Sequence, residues 1–300
     1  VAGAALLARS FWNLHSINPG FRPDHVLISD TSLPNGEMPA VIAHYRDLLA
    51  RIHAIPGVTA AGIASHLPIT GFHPDGHFNI EGQAEQSRTA DADYVAVSQG
   101  YLSAIGIPLL RGRDFNDRDS ENSLHVAVIN QEMARVYFSG SDPIGQRIWF
   151  DSFNAKENWA TIIGVAGDTG QESLTGSVYP LAYTLYTQQT YSGLLADGNL
   201  ILHTKEDPSG IADAVRHAVR AVNPDSAPTP RTMKSVLAES LARQRFQMEM
   251  LGAFAALALL LAAVGLYGVL SYIVTANRTQ RGIRLALGAQ PATIVRMITG

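Results

Sequence analysis

Three hundred residues, 46% apolar and 16% charged, supply enough material for one or two globular domains with a core of ordinary size. A formal net charge of −4 gives no reason to expect a nucleic-acid partner, because phosphate binding needs clustered lysine and arginine. The absence of cysteine excludes disulfides, cysteine-ligated zinc and thiol nucleophiles, and fits a reducing or an oxidising compartment equally.

The chain opens with "VAGAALLA" (Val1 to Ala8), apolar but too short to span a bilayer, followed by Arg9, Phe11 and Trp12 in the order of an interfacial belt. Neither an initiator methionine nor a basic n-region precedes it, so a signal peptide is not expected. The expectation is that residues 1–21 are the end of a membrane helix and its juxtamembrane segment, and that the 300 residues are a fragment of a longer polytopic protein.

Val26 to Leu33 reads as a strand, and Met38 to Ile55 as a helix carrying Val41, Tyr45, Leu48, Leu49, Ile52 and Ile55 on one face. Pro56-Gly57 should end that helix, and Val58 to Ser65 reads as a second strand. The plan repeats near the other end. "NLILHT" (Asn199 to Thr204) is a strand, and Asp207-Pro208 gives an N-cap and a proline at the first helical position. The helix that follows carries Ile211, Val215, Ala218, Val219 and Val222 and stops before Pro224. Between the two units, 72–196 is richer in Gly, Asp and Ser, with short strand-like runs such as "HVAVIN" and "ATIIGVAG". The expected fold class is α+β: a split β-α-β porter-like lobe (22–71 and 197–247) with an inserted mixed α/β lobe (72–196), flanked by transmembrane helices.

Leu251 to Ile273 is 23 residues without a charge. At 1.5 Å per helical residue that exceeds the roughly 20 residues needed to cross about 30 Å of hydrocarbon, so 248–277 is expected to span a membrane. Gly252, Gly265 and Gly268 permit close approach of neighbouring helices in lipid. Basic residues flank the run on both sides, Arg231, Lys234, Arg243 and Arg245 before it and Arg278, Arg281, Arg284 and Arg296 after it, so the positive-inside rule does not choose an orientation. The large domain on one side favours a cytoplasmic location for 278–300.

Candidates for chemistry are few. His66, His73, Asp75 and His77 combine imidazoles with a carboxylate, but their spacing matches no common zinc site, and a Pro/Gly loop is the expectation. "DFNDRDSEN" (Asp114 to Asn122) has calcium-loop character, yet counting from Asp117 the sixth position is Asn122 instead of glycine and the twelfth is Val128 instead of glutamate. "GVAGDTG" (Gly164 to Gly170) is a lone glycine-rich turn after a strand. With no Walker-type loop, no G-x-S-x-G elbow and no H-E-x-x-H, no catalytic, metal or cofactor site is expected.

Four long motifs in order, "LLARSFWNLHSINPGFRPDHVL", "YLSAIGIPLLRGRDFNDRDS", "VAVINQEMARVYFSGSDPIGQRI" and "FAALALLLAAVGLYGVLSYIVTANRTQRGIRLALGA", resemble the MacB/FtsX-type permeases of ABC transporters, in the bacterial branch with duplicated halves. The resemblance runs over essentially the whole chain and matches the second half of such a permease. It implies a non-catalytic subunit of the bacterial inner (cytoplasmic) membrane, its core domain in the periplasm, coupling cytoplasmic ATP hydrolysis to movement outside for export or extraction of a substrate. It implies as partners an ABC ATPase, a second permease half or subunit and the lipid bilayer, and leaves room for a periplasmic adaptor. Gly282, Ile283, Arg284, Ala286, Leu287, Gly288 and Ala289 match the motif by which the family meets its ATPase. Ile283 and Leu287 form an i, i+4 apolar pair, Gly288 can terminate a helix and Pro291 can start the next. Where the family usually carries Glu-Ile before Gly-Ile-Arg, this chain has Gln280-Arg281. The rival expectation is a membrane-anchored extracytoplasmic sensor that binds a ligand, which would be followed by a signalling domain and not by further membrane helices.

Overall fold

The computed structural model describes residues 19–33, 36–70, 75–83, 90–150, 158–170, 177–190 and 192–276. The chain divides into two units, one holding the mixed sheet up to Ala242 and one beginning at Arg243, and each is described by itself.

In the first unit, strand β1 (Val26–Ser32), helix α1 (Met38–His53) and strand β2 (Val58–Ala64) follow the expected order. Pro39 occupies the first turn of α1, where its missing N–H costs no hydrogen bond, and Val41, Ile42, Tyr45, Leu48 and Ile52 form the buried stripe. The two strands do not pair with each other. Strand β10 (Asp197–Thr204) lies between them, antiparallel to both, with Ile28 opposite Ile201 and Ile201 opposite Gly62. Helix α4 (Ala212–Val222) follows a short 3₁₀ turn in which the Asp207 carboxylate accepts the Ser209 N–H. It joins α1 on one face of the three strands, where Leu27, Tyr45, Leu48, Ile63, Leu200, Leu202, Val215 and Val219 share a core. The repeated β-α plan thus builds one layered arrangement, with the two-residue strand β11 (Arg231–Thr232) at the edge beside β1.

The middle of the chain folds into a closed ring. Strand β3 (Asp75–Ile80) pairs β4 (Asp91–Val97) and β7 (Arg147–Phe150), β7 pairs β8 (Ala160–Ala166), β8 pairs β6 (Val126–Asn130), β6 pairs β9 (Leu181–Leu185), and β9 returns parallel to β4. Alternate residues point inward, so Phe78, Ile80, Ala92, Ala127, Ile129, Ile148, Ile162 and Ala182 fill the ring, with Met133 of helix α3 (Gln131–Tyr137). Alanine from three strands leaves the space that Phe78 and the isoleucines occupy. Strand β5 (Leu109–Gly112) pairs the C-terminal half of β8. The expected mixed α/β insert is therefore chiefly a small barrel, with α3 and a five-residue helix (Tyr101–Ile105) as its α-helices among the described residues.

The sheet runs on from β2 to β4 through the pair Ala64 and Val97. On the face opposite α1, helix α2 (Tyr101–Ile105), bounded by left-handed Gly100 and Gly106, packs into a cluster that mixes Val26, Ile28 and Ile201 with Val97, Val128, Tyr183 and Leu185. That core crosses the boundary near residue 72 drawn from composition. Gly62 makes the close approach possible, since a Cβ there would stand 2.6 Å from the Tyr101 Cα.

The last helix, α5 (Met233–Ala276), begins with Met233 buried in the same cluster and Val236 and Leu237 packed against it. In the second unit this helix is continuous through its described residues. Over Glu249–Ile273 the mean hydropathy is 2.4 with 0% of the span buried, the one helix among the described residues long and apolar enough to cross a membrane.

Candidate functional site

An open cleft of ≈ 660 Å³ lies along the outer edge of β2. It exists because β2 is paired on that side only at its end: beyond the exchange of Ile63 and Ser98 hydrogen bonds, Val58 to Gly62 has no strand neighbour there among the described residues. One wall is the exposed side of α1, with Arg46, Leu49 and His53; the base is Thr59, Ala60 and Tyr186; the far wall is the acidic turn with Asp117, Glu121 and Asn122.

The acidic turn is held from inside. The Arg113 guanidinium donates to both carboxylate oxygens of Asp119, at 2.6 and 2.9 Å, and Asp119 also accepts the Asn116 N–H at 2.9 Å. Gln99 Nε2 donates to the Asn116 carbonyl at 2.7 Å. From the other side Gln188 accepts the Val126 N–H at 3.0 Å and donates to the Ser120 carbonyl at 2.9 Å. The Arg113 hydrogen bond holds the Asp119 carboxyl below its ordinary range, whereas burial pushes Asp114 up against the pull of its own hydrogen bond from Phe115 N–H and of Arg113. The polar residues suggestive of calcium are thus partly spent as struts, while Asp117 and Glu121 face solvent.

Tyr186 stands at the base, 5% exposed, its ring edge-on to Tyr45 at 5.8 Å. Its hydroxyl has no hydrogen-bond partner among the described residues, although the residue lines the cleft. Burial pushes its pKa up to about 12, with Arg46 pulling it down and Glu121 pushing it up, so both charges are felt at the phenol. Neither Arg46 nor Glu121 takes part in an ion pair among the described residues.

The other candidates have structural roles or fall outside the description. His66 is half-buried with Nδ1 2.9 Å from Ser65 Oγ, and burial lowers its pKa. Asp75 and His77 pair in register with Asp93 and Asp91 on β4, and His73 lies outside the described residues. Among the described residues no group of three or more histidine, aspartate or glutamate side chains could hold a metal ion. In the glycine-rich turn, Asp168 accepts the Glu132 N–H at 2.8 Å and Gly170 accepts the Ile69 N–H at 3.0 Å, so it caps α3 and ties down a loop. A smaller cavity of ≈ 40 Å³ lies beside Tyr94, Trp149 and Thr184. Gly282, Ile283, Arg284, Ala286, Leu287, Gly288 and Ala289 lie outside the described residues.

The cleft was not legible as a site in the sequence, because its walls come from four separated segments.

A split β-α layer continuous with a small barrel defines a mixed α+β domain. The MacB-like periplasmic core domain family matches residues 13–222, and the chain belongs to that family. Similar proteins include the "uncharacterized ABC transporter permease YknZ" of Bacillus subtilis (strain 168), 24% identical over 211 residues, which covers 68% of this chain and 51% of that protein. The "macrolide export ATP-binding/permease protein MacB" of Azoarcus sp. (strain BH72) is 27% identical over 223 residues, covering 71% of this chain and 32% of that one. The chain thus spans about a third to a half of these relatives' length. Among solved structures, the periplasmic region of MacB from Actinobacillus actinomycetemcomitans aligns with a TM-score of 0.48 at 11% identity, covering 75% of this chain and 95% of that one. The extracellular domain of YknZ aligns with a TM-score of 0.46 at 15% identity, covering 68% and 99%.

Proposed function

We propose that the chain is part of the permease subunit of an ABC-type exporter, with residues 22–247 forming its extracytoplasmic core domain, 248–277 a transmembrane helix and 278–300 a cytoplasmic segment that contacts the ATPase. The observation that carries this reading is the family match over 13–222 followed by the apolar helix Glu249–Ile273. Residues 1–21 supply the end of the preceding membrane helix, and the large domain stands in the periplasm of a bacterial inner membrane. The subunit itself does no chemistry. ATP hydrolysis on a partner protein shifts the membrane helices, and the core domain transmits that movement to a substrate outside; the second permease half and the bilayer complete the machine. Gly282, Ile283, Arg284, Ala286, Leu287, Gly288 and Ala289 form the coupling element in this reading. Its physical support is an apolar i, i+4 pair followed by a glycine able to end the helix.

Two measurements test it. Because the chain has no cysteine, Leu124→Cys, at a position 85% exposed, and Gln290→Cys can be labelled singly. A membrane-impermeant maleimide applied to spheroplasts should reach the first and reach the second only after permeabilisation; the reverse pattern refutes the topology. In the full-length permease reconstituted with its ATPase, Gly288→Val and Arg284→Lys should each insert normally and lose most stimulation of ATP hydrolysis. Parental stimulation by both variants refutes the coupling assignment.

A further inference from the structure

We propose that the cleft beside β2 binds a small zwitterion of short-peptide size, its ammonium group against Glu121, its carboxylate against Arg46, and the Tyr186 hydroxyl hydrogen-bonded between them. This inference concerns the cleft alone and stands whether or not the chain belongs to a working exporter.

Four observations carry it. The cleft, ≈ 660 Å³, falls within the size range of sites for small organic ligands. Tyr186 lines the cleft and is 5% exposed as a residue, and its hydroxyl has no partner among the described residues and is not itself buried. A phenol whose ring is packed and whose hydroxyl is left accessible beside a cleft is available to a ligand. Arg46 and Glu121, of opposite sign, line the same cleft as Tyr186 without pairing with each other. Finally, the wall bearing Glu121 is preorganised by Arg113, Gln99 and Gln188, so the carboxylate is presented by a held turn.

The chemistry of the lining selects the ligand class. A simple anion meets Arg46 but also the field of Asp117 and Glu121, and a simple cation leaves the guanidinium unused. A molecule with both charges satisfies both walls, and the phenol can donate to a carboxylate or accept from an ammonium. Leu49 and Ala60 offer apolar contact to the body between the charged ends.

The test uses the 300-residue chain in detergent at fixed ionic strength, titrated calorimetrically with the tripeptide Ala-Leu-Ala, its N-acetyl derivative and its C-terminal amide. Saturable one-to-one binding of the free tripeptide is expected, weakened about tenfold or more by either blocking group, since each removes one charge-assisted hydrogen bond. Glu121→Gln should weaken the free tripeptide but not the acetylated one. Arg46→Gln should weaken the free tripeptide but not the amide. Tyr186→Phe, which keeps the ring against Tyr45, should weaken all three. Absence of saturable binding by the parent chain, equal affinity for the blocked and free tripeptides, or indifference to all three substitutions overturns the proposal.

Discussion

Replacing Asp119 by asparagine perturbs the strut that holds the acidic wall of the cleft. The side chain keeps its size but loses its charge, and one of its acceptors becomes a donor facing the guanidinium of Arg113. Three hydrogen bonds are affected, two to Arg113 and one from the Asn116 N–H. Hydrogen bonds to charged groups contribute about 1.5–3 kcal/mol each, but the Arg113 side chain is 45% exposed, against 5% for Asp119, and can return to water. After that discount a local loss of about 2 kcal/mol is expected. Hydrogen–deuterium exchange of the 116–119 amides reads it directly, since about 2 kcal/mol corresponds to roughly thirtyfold faster exchange where local opening governs. The linkage has a definite sign. Arg113 lowers the folded-state pKa of Asp119 below its ordinary 3.8, so the contribution is complete above about pH 4 and is lost as pH falls through the folded value. The parent turn should therefore lose protection on acidification below about pH 4, while the Asp119→Asn variant, already unprotected, should show little further change in that window. Exchange within about twofold of the parent at neutral pH refutes the assignment of Asp119 as the strut.

Phe78→Ala empties part of the barrel interior, where the ring is fully buried and edge-on to Tyr137 at 4.9 Å; a loss of about 3–5 kcal/mol is expected in denaturant unfolding, and one below about 1 kcal/mol would mean the interior collapses freely. Gly62→Ala places a Cβ 2.6 Å from the Tyr101 Cα and 2.7 Å from its N. Because the obstacle is backbone, α2 must shift off the sheet at a cost of about 1–3 kcal/mol, visible as a lowered unfolding midpoint. Gly210→Ala, where the added Cβ would meet nothing within 4 Å, is the control for the loss of glycine's chain entropy alone, and an equal midpoint for the two variants refutes the clash.

The helices α1 and α4 and the strands β1, β2 and β10 were each legible because every one has a one-sided or continuous apolar pattern within a few turns of chain. The apolar helix was legible for the same reason: 23 uncharged residues are a local property, and their meaning depends on no contact elsewhere. Family membership too was carried by runs of adjacent residues. The barrel was not legible as a ring, since its closure rests on β9 lying parallel to β4 across a long stretch of intervening chain, and short strands of about five residues do not name their partners.

The sequence by itself thus determined the local elements, their order and the family, because those follow from periodicity and composition along the chain. Only the tertiary structure decided that the two β-α units interleave through β10, that the middle segment closes on itself, and that the core crosses from one to the other through α2. It also decided which polar residues are struts and which are free. Asp117, Asp119 and Glu121 look alike in sequence, and only the positions of Arg113, Gln99, Gln188 and Tyr186, brought together from distant segments, give one carboxylate a partner and turn the others towards a cleft.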